Sequence, residues 1–150
     1  MAQKKEIIST VNNLIETLKD GQEGFRQAAE AVKDSELKSL FSEFSLERSR
    51  FAGELQDQVR DLGESEPEDS SSVAGSMHRA WINLKAAATS GDDHAILAEC
   101  ERGEDSAVSE YEKAMSADLS SPLRETVSRQ YDKVKLAHDR VRNLRDSRKK

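Results

Sequence analysis

Apolar residues return every three or four positions along four long stretches of the chain, the period of helices that bury one face. The first stripe is Ile7, Val11, Leu14, Leu18, Phe25, Ala28 and Val32, widened by Ile8 and Ile15. The second is Leu37, Leu40, Phe41, Phe44, Phe51, Leu55, Val59 and Leu62. The third is Ile96, Leu97, Cys100, Ala107, Val108, Tyr111 and Met115. The fourth is Leu123, Val127, Tyr131, Val134, Ala137, Val141 and Leu144. These stripes predict helices over about 4–32, 36–62, 93–117 and 122–146.

Punctuation between the stripes sets the topology. Lys33-Asp34-Ser35 is a tight link with a capping residue, so the first two helices are expected to be antiparallel neighbours. Gly63 supplies a C-terminal stop, and Ser121-Pro122 a helix start. About 30 residues separate the second and third stripes, far more than an ordinary bundle loop. The acidic, serine-rich run at 64–72 reads as an exposed loop. After it, Val73, Met77, Ala80, Trp81, Leu84 and Ala88 predict a short helix over about 73–88, with Trp81 as its anchor. A connection this long can return along the bundle and make the second and third helices parallel. The expected fold is all-α: one domain over 1–150, a four-helix bundle whose long crossover carries a short fifth helix.

Each main stripe is broken near its middle. The breaks are Gly21-Gln22, Glu47-Arg48, Gly103-Glu104 and Gln130. They predict a buried polar layer of Glu47, Arg48, Glu104 and Gln130 across the waist. Leu97, Cys100, Glu104, Ala107 and Tyr111 share one helical face, so Glu104 is expected to point inward and pair with Arg48 or Gln130. An arginine among glutamates makes an ion-pair layer rather than a metal trap, provided that Arg48 and Arg50 turn inward. The alternative is an iron or manganese site built from Glu47, Glu101, Glu104 and His138, since both metals accept carboxylate and imidazole ligands. Counting back from a turn near Leu119 and Ser120 sets His138 opposite Glu101. His78 and His94 have no partner at metal-ligand spacing.

Composition narrows the function classes. The net charge of -6 argues against generic nucleic-acid binding. The single cysteine, Cys100, rules out an internal disulfide framework, and its place on the third stripe predicts a buried, inert thiol. No apolar run approaches the roughly 20 residues of a membrane span, and none of signal-peptide length follows MAQKKEIIST. A cytoplasmic protein is expected. The basic end from Arg140 to Lys150 complements a helix dipole. No phosphate-binding glycine loop, nucleophile elbow or zinc-cysteine cluster occurs, so the usual hydrolytic and transferase chemistries have no support.

The runs DGQEGFRQAAEAVKD, LFSEFSLERSRFAGELQ, SVAGSMHRAWINLKAAA, ILAECERGEDSAVSEYEKAM and VKLAHDRVRNLRD cover most of the chain. They resemble a bacterial ferritin-like family of unknown function, distantly related to the rubrerythrins. The resemblance implies a ferritin-like bundle. It also implies a site pattern of carboxylates on the first and third helices, with Glu-x-x-His on the second and fourth. Glu101-x-x-Glu104 fits that pattern. Arg50 stands where a histidine would follow Glu47, and Lys135 rather than a glutamate precedes His138. Gly21 and Gln22, with Glu23 nearby, occupy the first helix at the corresponding level. The pattern is broken on three of four helices. No cofactor is therefore expected, and the role implied is non-catalytic: structural or protein-interaction, and stress-associated by analogy. The expected partner is a second copy of the chain or another protein.

Overall fold

The computed structural model describes residues 2–62, 87, 89 and 92–147. Among these residues lie four α-helices and no strand: α1 (Ala2–Ala31), α2 (Ser35–Asp61), α3 (Asp93–Met115) and α4 (Ser121–Ser147). The predicted crossover helix, with Trp81, falls outside the described residues apart from Ala87. No described helix is long and apolar enough to cross a membrane.

Helix starts follow local chemistry. Asp34 caps α2, its carboxylate accepting from the backbone N–H groups of Glu36 at 2.8 Å and Leu37 at 3.2 Å. Asp92 caps α3 by accepting from His94 N–H at 2.9 Å. Such caps satisfy N–H groups that the helix leaves without partners. Asp93 does more than begin α3. Its carboxylate accepts from Lys33 N–H at 2.9 Å and Asp34 N–H at 3.1 Å, tying the α1–α2 turn to the start of α3.

These contacts fix the directions. The end of α1 meets the start of α3. Gln58, near the end of α2, donates to Thr126, near the start of α4. Arg145, near the end of α4, reaches back to Glu101 in the first half of α3. Hence α1 is antiparallel to α2 and α3, α4 is antiparallel to α2 and α3, and α2 runs parallel to α3. The packed neighbours are α1–α2, α3–α4, α1–α3 and α2–α4, which leaves α2 and α3 diagonal across the bundle.

The core divides into two apolar clusters along the bundle axis. One joins Val11, Leu14, Ile15 and Leu18 to Phe51, Leu55, Val59, Tyr111, Leu123, Val127 and Val134. The other joins Phe25, Ala28 and Val32 to Leu37, Phe41, Ile96, Leu97, Cys100 and Val141. Phe25 stacks on Phe41 with centroids 5.7 Å apart and meets Phe44 edge-on at 5.2 Å. Both clusters draw on all four helices, so truncating a buried member such as Leu55 or Leu97 to alanine is a cavity change of about 2–5 kcal/mol. Between the clusters the axis is occupied by polar side chains.

Candidate functional site

Gly21, Arg48, Gly103 and Glu104 fill the waist, all four buried. Arg48 and Glu104 are both 0% exposed. Arg48 Nη1 donates to Glu104 Oε2 at 2.7 Å, and Nη2 donates to Oε1, a two-pronged bond across the bundle diagonal. This geometry suits the planar guanidinium fork and adds direction to charge. The Arg48 Cζ also lies 5.2 Å from the centre of the Phe25 ring, within range of a cation–π contact. Burial works against the Arg48 charge, but the Glu104 carboxylate outweighs it and holds the guanidinium pKa above its ordinary value. The pair is thus a cation and an anion held together in the buried centre of the fold.

Gln130 lies elsewhere. Its expected place was the same layer as Arg48 and Glu104. It sits instead between Val127 and Val134, both members of the cluster below the waist. There it accepts from Tyr111 Oη–H at 2.7 Å and donates to Phe51 O at 3.2 Å and Glu54 Oε1 at 2.8 Å. The Tyr111 hydroxyl is pushed well above its usual pKa, chiefly by burial, so it remains a donor. Gln130 is therefore the hub of a second polar network joining α2, α3 and α4.

Glu47 and Arg50 are the outer parts of the interrupted α2 stripe. Arg50 is exposed, so only one of the two arginines enters the waist. Glu47 is half-buried. Burial raises its carboxyl pKa, with Arg48, Lys133 and Arg50 pulling the other way. Cys100 is fully buried, and burial, reinforced by Glu104 and Glu99, pushes its thiol well up. A thiol so held is a poor nucleophile.

The four residues of the metal alternative do not meet. Glu104 is taken by Arg48. Glu101 and His138 come together on the outer side of α3 and α4, with Asp105, and neither Glu47 nor Glu104 belongs to that group. His138 Nε2 lies 2.6 Å from Asp105 Oδ1, and its Nδ1 lies 3.0 Å from Asp139 Oδ1. Desolvation lowers the His138 pKa, but the hydrogen bonds to Asp139 and Asp105 outweigh it and the net shift is upward. Arg145 Nη1 donates to Glu101.

Sequence reasoning missed Tyr111, Asp105, Asp139 and Arg145 as members of polar networks. Two of them carried a local signal. Asp105 follows Glu101 by one helical turn, and Asp139 is the neighbour of His138. Tyr111 belongs to the apolar stripe of the third helix and Arg145 to the basic end that complements a helix dipole, so neither position signals a polar partner.

Residues 6–117 match a family described as "Domain of unknown function (DUF2383)". The match takes in α1 to α3 and stops short of α4. No curated protein matches the chain.

Proposed function

Because the chain belongs to this family of unknown function, we propose its role from its own geometry: a ferritin-like bundle in which an ion pair replaces a dinuclear metal centre. The role that follows is non-catalytic, structural or protein-interaction. The ferritin-like assignment is supported by the helix directions, with α2 parallel to α3 across a long connection. The observation that carries the reading is Arg48. Its guanidinium already supplies the positive charge that Glu104 needs, and it occupies the axis where carboxylate-bridged metals sit in such bundles. A site for two cations needs several carboxylates turned inward. At this waist Glu104 is committed to Arg48 and Glu47 stays at the edge, so the residues do not fit a dinuclear centre.

An interaction role draws on Leu46 of α2 and Leu136 of α4, large apolar side chains that stand exposed on the described helices. Single exposed leucines are ordinary on their own. They name the faces to test for self-association, and a cytoplasmic, stress-associated role remains part of the same reading by analogy with the ferritin-like resemblance.

The test is Fe(II) titration of the full chain, with elemental analysis of protein purified from its native host without chelators. The expected result is no two-equivalent uptake of iron or manganese. Two equivalents bound, and lost together in Glu47→Gln and Glu104→Gln, would overturn the reading and restore a redox function. Light scattering of the wild type against Leu46→Ser and Leu136→Ser checks self-association.

A further inference from the structure

The outer face of α3 and α4 carries a ligand set of its own, away from the waist. Glu101 and Asp105 stand one turn apart on α3, and His138 faces them from α4. One ligand atom from each lies within 4.8 Å of the other two. An ion with nitrogen and oxygen ligands at about 2.0–2.2 Å holds neighbouring ligand atoms roughly 3–3.5 Å apart.

A second observation concerns the His138 ring, which has a carboxylate at each nitrogen. Asp139 lies at Nδ1, 3.0 Å away. A histidine that gives Nδ1–H to a carboxylate presents its Nε2 lone pair, the way outer partners orient ligating histidines. The Nε2 atom of His138 faces Asp105 Oδ1 at 2.6 Å. A divalent ion bound at Nε2 would take the place of the proton that the contact with Asp105 holds.

Arg145 completes the arrangement. Nη1 contacts Glu101, while Nε and Nη2 hold Asp146 Oδ1 at 3.3 Å and 2.9 Å. Arg145 can release Glu101 and keep its second partner. Two carboxylates then balance a double positive charge, and Asp105, with its side chain 63% exposed, leaves the ion open to water.

We propose that Glu101, Asp105 and His138 bind one divalent transition ion of the zinc class, that Asp139 orients His138, and that Arg145 competes for Glu101. Three protein ligands and an open position suit such an ion. The site is independent of the ion pair at the waist.

The experiment is calorimetric titration of the full chain with zinc chloride in chelator-free buffer. One equivalent is expected for the wild type. His138→Gln and Asp105→Asn should each abolish it, with folding checked by circular dichroism. Asp139→Asn should weaken binding about 10–100-fold, the usual effect of losing an orienting partner. Arg145→Gln should tighten it, a change of sign that scattered surface binding does not produce. No uptake, uptake that survives Asp105→Asn and His138→Gln, or weaker binding in Arg145→Gln overturns the site. Because Asp105 is exposed, its variant keeps the test valid even where His138→Gln disturbs the fold. Two equivalents dependent on Glu47 and Glu104 would instead overturn the reading of the waist.

Discussion

Gly21 of α1 lies against the buried guanidinium of Arg48, so closely that a Cβ at position 21 would stand 3.1 Å from Nη1. The guanidinium has little freedom to retreat. Glu104 holds it by two nitrogens, and the Phe25 ring packs against it. Gly21→Ala gains about 1 kcal/mol of helix propensity, while overpacking a fixed neighbour costs about 1–3 kcal/mol. The expected net effect in urea unfolding is a loss of about 1 kcal/mol. In a background where Arg48 and Glu104 are both leucine, the same substitution should become neutral or stabilising. A more stable Gly21→Ala in the otherwise native chain would mean that Arg48 is not held there.

Arg48 and Glu104 themselves should be strongly coupled. Removing either leaves a buried charge without its counter-ion, at a cost of about 3–5 kcal/mol, whereas replacing both with leucine can be near neutral. Arg48→Leu, Glu104→Leu and the double variant, compared by urea unfolding at constant m-value, measure this directly. Simple additivity of the two single losses would show that the pair contributes no mutual term.

How much of this was legible in the sequence depends on whether the cause is local. The second helix begins where Asp34 caps it, and that signal adjoins the helix it starts. The inward placing of Glu104 follows from its register with Leu97, Cys100, Ala107 and Tyr111. The role of Asp93 was not legible, because the N–H groups it accepts belong to a turn 60 residues away. Gln130 is the instructive case. The count from the α3–α4 turn that puts His138 across from Glu101 also puts Gln130 near Tyr111 and not at the level of Glu104. The register was in the sequence, but the mid-stripe position of Gln130 suggested a common layer. The split of the two arginines was readable in the same way: Arg48 falls four residues after Phe44 and three before Phe51, on the buried stripe, and Arg50 falls off it.

Gln130 and Tyr111 give a second cycle. In Gln130→Leu the buried Tyr111 hydroxyl loses its acceptor, which costs about 1–3 kcal/mol. Adding Tyr111→Phe removes the stranded donor, so the double variant should be less destabilised than the sum of the singles. Thermal or urea unfolding of the three variants checks it. Losses that add without interaction would argue against the hydrogen bond.

Glu47 carries the pH prediction. Its carboxyl pKa is raised, first by burial, while Arg48 and Arg50 on its own helix and Lys133 on α4 act to lower it and Glu104 on α3 adds to the rise. For an acid with a raised folded pKa, the unfolded chain holds the charged form more readily. Stability linked to this group is therefore fully present below its unfolded value of about 4.3 and falls as pH rises through the raised value. Glu47→Gln should stabilise the protein at pH 7. Because Glu47 is only half-buried and solvent screens it, the gain should stay below about 1 kcal/mol. The same substitution should make almost no difference near pH 4, where the wild-type group is already largely neutral in the folded protein. Urea unfolding of the two proteins at both pH values makes the comparison, since the titration of other carboxylates cancels between them. A Glu47→Gln variant that is less stable at pH 7, with the loss abolished by a metal chelator, would mean that the charge at Glu47 serves a bound cation, contrary to the ion-pair reading of the waist.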